Sequence, residues 1–153
     1  VYCQKTFTLK FPNVKNFQKT NTISNMGDDV IAIYLKNNYK QASKKLDIKF
    51  DPDFNNVECG YTKKYQFGII YTTNSCGEAS PIIETVTFPK TSLTELKKWV
   101  EDIYRTSLPK DSIIENEWSK EKNEYGPVGG EAGCYYTIKQ KKTNSSIEIW
   151  CGC

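Results

Sequence analysis

The chain of 153 residues has no histidine and a single arginine, Arg105, beside 20 lysines. Without imidazole, Ser-His-Asp and Cys-His nucleophile systems are unavailable, and so is hydrolysis at a His-ligated metal. The scarcity of arginine weighs against nucleic-acid reading, which leans on guanidinium forks for phosphate and guanine. The densest basic run, Lys139, Lys141 and Lys142, is interrupted and lies beside a hairpin turn, where lysines keep a strand end solvated. Long apolar runs are missing too. The longest, "VIAIYL" at 30–35, is far too short to span a bilayer. The sequence opens at Val1 with neither n-region nor h-region, which reads as a mature form whose export signal has been removed.

Against these absences stand six cysteines: Cys3, Cys59, Cys76, Cys134, Cys151 and Cys153. There is no C-x-x-C pair, and Cys151-Gly152-Cys153 is too tight for a zinc knuckle, so neither a metal nor a cofactor is expected. An even number of cysteines fits three disulfides, whose pairing sequence alone leaves open. Such bonds persist in secreted or periplasmic space. With 38% hydrophobic and 25% charged residues and no linker or repeat, residues 1–153 read as one globular domain.

Periodicity supplies the elements. Residues 2–11 alternate Cys3, Phe7, Leu9 and Phe11 as a strand would, stopping at Pro12. The spacing of Ile31, Leu35, Tyr39, Ala42 and Leu46 predicts a helix over 28–46, although "VIAI" also suits a strand. "LDIKF" at 46–50 alternates again. Over 57–73 the odd positions Val57, Cys59, Tyr61, Tyr65, Phe67, Ile69 and Tyr71 predict one long strand with a polar second face. "IIETVTF" at 82–88 returns from the "NSCGEASP" turn. A helix follows over 92–108, with Ser92 and Glu95 in capping-box register and Leu93, Leu96, Trp99 or Val100, and Ile103 at helical spacing. "IIENEWSKE", "CYYTIKQ" and "IEIWC" complete the strands. The fold expected is α+β: a mainly antiparallel sheet of about six or seven strands with two helices packed on it, stabilised by disulfides. Folding the last hairpin about Thr143 brings Cys134 to Cys151 or Cys153, depending on register. Cys59 and Cys76 flank the long strand, and Cys3 is left to reach the C-terminus.

Carboxylate chemistry survives the loss of histidine. Glu115 and Glu117 share a face if their segment is a strand, but neighbours on one exposed face lack the contrast between a buried acid and a solvated base. Secreted ADP-ribosyltransferases also carry Glu-x-Glu, after an arginine and a Ser-Thr-Ser strand. Here Arg105 follows the hydroxyl-rich "YTTNS" instead, so the order fails. "NSS" at 144–146 is an N-glycosylation sequon at a turn.

The segment "EYGPVGGEAGCYY", 124–136, packs four glycines into eight positions and ends on Cys134. It lacks the phosphate-loop pattern and does not lead into a helix. A loop pinned at its base by a disulfide stands out from a sheet without loosening it. Its residues Tyr125, Gly126, Pro127, Val128, Gly129, Gly130 and Glu131 are therefore the expected partner-binding set. The function expected is that of an exported, non-enzymatic binding protein, an inhibitor or immunity-type protein that blocks a secreted or cell-wall hydrolase or toxin. The alternative is a surface, adhesion or carbohydrate-binding module using Trp118, Trp150 and tyrosines as stacking platforms. A carboxylate-based hydrolase comes third.

Overall fold

The computed structural model describes residues 6–13, 30–78, 80–108, 112, 113 and 115–152. Among these residues two helices, α1 (Val30–Asn38) and α2 (Leu93–Ser107), pack on one face of an eight-stranded antiparallel sheet. The strands are β1 (Leu46–Asp51), β2 (Val57–Lys64), β3 (Ile70–Asn74), β4 (Ile82–Pro89), β5 (Asn116–Trp118), β6 (Glu124–Pro127), β7 (Gly133–Gln140) and β8 (Asn144–Gly152). Their order is β1-β2-β3-β4-β8-β7-β6-β5, so two four-stranded meanders meet at β4 and β8. α2 makes the connection, starting beyond β4 mid-sheet and handing over to β5 at the far edge. Its 15 residues reach about 22 Å, close to the roughly 19 Å needed to cross four strand spacings.

α2 forms where its signals predict. The Ser92 hydroxyl accepts from the Glu95 amide at 3.3 Å and donates to the Glu95 carboxylate at 2.8 Å, a capping interaction worth about 1 kcal/mol. Leu96, Trp99, Val100 and Ile103 are buried on one stripe, against Phe88, Val86, Ile147 and Ile149 of the sheet. Trp99 meets Phe88 and Tyr34 edge-on at 5.3 and 5.4 Å.

Three expectations need correction. The helix predicted over 28–46 covers Val30–Asn38 of its described part (residues 28 and 29 lie outside the described residues). Asn37 and Asn38 are weak helix formers. Beyond them tertiary bonds take over: the Lys40 amide donates to Gln66 Oε1 at 2.6 Å, and the Ala42 amide to the Lys64 carbonyl at 2.9 Å.

The long strand over 57–73 is a hairpin, β2 and β3, turning through Gln66–Gly68 with Phe67 and Gly68 at φ 64° and 75°. Because the turn closes on the pair Tyr65 and Ile69, with an odd number of residues between them, odd positions stay on the core face through it. The alternation therefore runs unbroken across a reversal.

Of the strand predicted over 2–11, residues 6–11 are described, and they join no ladder. Phe7, Leu9 and Phe11 do pack on the core, but the backbone bonds of this segment go to tyrosines. The Lys10 amide donates to Tyr39 Oη at 3.0 Å, while Tyr34 and Tyr39 donate to the Lys10 and Thr8 carbonyls. With residues 6–11 outside the sheet, one expected strand split in two and β6 added, the described residues hold eight strands.

Among the described residues two disulfides are formed, Cys59–Cys76 and Cys134–Cys151, with Cα separations of 4.9 and 4.0 Å. The second joins residues directly opposed in the β7–β8 register. Cys3 and Cys153 lie outside the described residues. Covalent bonds of this kind are made in an oxidising compartment. Among the described residues no helix is long and apolar enough to cross a membrane.

Candidate functional site

The glycine-rich segment divides in two. Its first half is β6, which pairs with β5 and β7. Tyr125 turns inward, buried among Tyr104, Tyr136 and Trp118 with ring centroids 5.6, 6.4 and 5.0 Å away. Burial first, and the Glu101 charge second, push its hydroxyl above the ordinary tyrosine range. Gly126 is buried for a different reason. It stands across from Tyr135, whose ring lies over it: a Cβ at 126 would sit 2.3 Å from Tyr135 Cδ1. Glycine here makes room for an aromatic ring.

The second half is the exposed part. Pro127 is half-buried and leads into a single 3₁₀ turn, Val128–Gly130, followed by Glu131. Gly129 and Gly130 hold φ of 79° and 70°, and nothing lies within 4 Å of where their Cβ atoms would be. Their glycine identity thus answers to backbone conformation, in open solvent. The turn is nonetheless held on both sides. The Val128 amide donates to the Glu115 carbonyl at 3.0 Å, and Tyr135 Oη donates to the Glu131 carbonyl at 2.6 Å. Three residues beyond Glu131, Cys134 ties the chain to β8.

Tyr135 extends this surface. On the face of the sheet opposite the helices, Ile83, Trp150 and Tyr135 stand side by side across β4, β8 and β7. Ile83 is 40% exposed, Val128 is 50% exposed, and the Tyr135 and Trp150 rings are 5.9 Å apart and half-buried. The next row along is polar: Thr62, Thr72, Thr85, Glu148, Thr137 and Glu124 follow one another across six strands. Aromatic surface is therefore concentrated in the row that adjoins the turn. The strand alternation of "CYYTIKQ" already separated Tyr135 from Cys134 and Tyr136; what it lacked was a neighbour, which the β7–β8 register supplies.

Other sequence candidates fall elsewhere. Glu115 and Glu117 are both exposed, away from the apolar surroundings that would distinguish an acid from a base. Trp118 is half-buried and donates from Nε1 to Glu101 at 2.8 Å, with Lys97 Nζ 5.1 Å from its ring. Trp99 is fully buried. Asn144 of the sequon closes the β7–β8 turn, accepting from the Lys141 amide at 2.9 Å. Among the described residues, no three cysteines or carboxylates converge as a metal site would require. No family model, no curated protein and no solved structure matches this chain.

Proposed function

We propose that this chain is a non-enzymatic binding protein of the secreted or periplasmic space, of the inhibitor or immunity type, which docks on a partner protein. The contact surface runs from Pro127 to Glu131 and continues over Tyr135, Trp150 and Ile83. The observation that carries the reading is the solvent-exposed turn held at its base by two hydrogen bonds and a nearby disulfide, next to a half-buried Tyr–Trp pair. A turn whose conformation is fixed before contact loses little entropy on association, and aromatic side chains supply a large share of interface hot spots. A carbohydrate platform is less well supported. The two rings are inclined at 48°, so one sugar ring cannot lie flat on both.

The test is capture of a partner from the exported fraction of the source organism by the wild-type chain, by Val128→Asp and by Trp150→Ala, with secreted hydrolases as defined candidates. A partner held by the wild type and lost by both variants, while Thr62→Ala at the far end of the sheet retains it, is the expected result. Equal capture by all four chains removes this surface from the function.

A further inference from the structure

Among the described residues β1 closes the strand order on one side, with β2 as its neighbour. Ten large apolar side chains stand exposed among the described residues, and five of them fall between positions 46 and 57. These are Leu46, Ile48 and Phe50 on β1, then Phe54 and Val57 beyond it. Ile48 is 43% exposed and Phe50 57%. An apolar edge strand with no proline inside it is a template for pairing with another chain.

The order of residues along β1 says which chain. "KLDIKFD", 45–51, is its own complement when reversed. Laid antiparallel on a second copy with Ile48 opposite Ile48, it sets Leu46 opposite Phe50 and Asp47 opposite Lys49, each pair occurring twice. A register shifted by one residue either way sets Asp47 and Lys49 against apolar side chains. A shift of two sets Asp47 against Asp47 or Lys49 against Lys49, and a parallel pair in register does both. Opposite charges across strands attract and like charges repel, so the same two residues favour one arrangement and penalise its neighbours.

Asp47 and Lys49 are both exposed, and among the described residues neither takes part in a salt bridge. The outermost pair of the repeat is already engaged within the chain. Lys45 lies 2.7 Å from Glu58, while buried Asp51 accepts from the Asp53 and Gly77 amides at 3.0 and 2.7 Å. Asp47 stands at φ 50°, and the register with β2 shifts between Leu46 and Lys49 and again between Lys49 and Phe50. Irregularity of this kind bends an edge and limits the stretch a neighbour can follow.

We propose that β1 is a self-association edge, through which two copies of this chain pair antiparallel over residues 46–50 about a two-fold axis at Ile48. A contact this short buries less than a standard interface, which sets the dimer in the weak range, with Kd of about 10–500 µM. Three strands separate β1 from β8, and the inference does not rest on the docking reading.

The experiment is sedimentation equilibrium of the full, disulfide-bonded chain from about 5 µM to about 1 mM, where the wild type should pass from monomer to dimer. Asp47→Lys and Lys49→Asp each turn two attractive pairs repulsive, and each should weaken the dimer at least about fivefold. The double change Asp47→Lys/Lys49→Asp restores opposite charges and should associate as the wild type does. An equimolar mixture of the two single variants should form a mixed dimer more tightly than either variant associates with itself, a rescue that a misfolded chain would not show. A wild type that stays monomeric throughout, single variants that dimerise as the wild type does, or a mixture no more associated than its components would each overturn the proposal.

Discussion

Replacing Gly126 with alanine tests whether the outer face is built as described. The new Cβ would fall 2.3 and 2.6 Å from Cδ1 and Cε1 of Tyr135, more than an ångström inside normal carbon–carbon contact at about 3.5–4.0 Å. Those atoms belong to a ring in the middle of its side chain, so the ring must swing off the strand. Doing so breaks its bond to the Glu131 carbonyl, about 1 kcal/mol, and its packing on Trp150, about 0.5–1.5 kcal/mol. Reduced backbone freedom of alanine in the unfolded chain returns about 0.4–1 kcal/mol, since Gly126 is not at positive φ. The net loss is about 0.5–2 kcal/mol, or a fall in Tm of roughly 1–8 °C for a chain of this size. In a Tyr135→Ala background the obstacle is gone, and the same change should be neutral or slightly stabilising. Denaturant unfolding of the four chains closes a double-mutant cycle with an expected coupling of about 1.5–2.5 kcal/mol. A coupling below about 0.5 kcal/mol would show that the ring does not lie on Gly126, and the account of the outer face would fail with it.

Two further outcomes follow from the bonds and the buried hydroxyls. Both disulfides close a separation of 17 residues, so chain entropy assigns each about 3 kcal/mol; the Cys134→Ser/Cys151→Ser and Cys59→Ser/Cys76→Ser pairs should lose similar amounts in guanidinium unfolding. Tyr34, Tyr104, Tyr125 and Tyr136 all hold their protons above the ordinary value of 10.0, with burial the leading cause in each. A hydroxyl that stays neutral when folded but ionises when unfolded makes the unfolded state release protons first. Stability is therefore fully present below pH 10 and falls as pH rises beyond it, by up to about 1.4 kcal/mol per pH unit for each tyrosine involved. With no histidine in the chain, unfolding free energy should stay nearly flat from about pH 6 to 8, and a steep change there would contradict this assignment.

The parts of the fold readable from sequence are those where a local signal and the tertiary outcome coincide. α2 carries its own cap and apolar stripe, and the core-facing parity of β4, β7 and β8 is written in strict alternation. The Cys134–Cys151 bond followed from folding one hairpin, leaving only register to choose between Cys151 and Cys153. The misreadings share a cause. An odd-length turn preserves period two, so β2 and β3 looked continuous; the Phe7–Phe11 alternation marks packing on a core and says nothing of a ladder. β6 was obscured by glycines, one of which serves the neighbouring strand's tyrosine. Of the expected contact residues, Tyr125 and Gly126 are buried, while Val128, Gly129, Gly130 and Glu131 are exposed.

Register also ties the two faces of the sheet to one another. Tyr135 and Tyr136, Ile149 and Trp150, and Ile83 and Glu84 are neighbours in sequence that point to opposite faces. A slip of one residue between β7 and β8 would send Tyr136 toward solvent and Tyr135 into the core, exchanging an aromatic docking row for part of the buried face. Hydrophobic burial of Ile138, Ile147 and Ile149 opposes that slip, but only while the strands stay packed. A covalent bond between directly opposed Cys134 and Cys151 opposes it even when the sheet end breathes. The bond is therefore placed where loss of register would damage both faces at once. Removing it should weaken partner capture on the outer face and hydrogen-exchange protection of the β7–β8 amides together, whereas Thr62→Ala should affect neither. Unchanged capture and protection after the Cys134→Ser/Cys151→Ser change would mean that packing by itself sets the register.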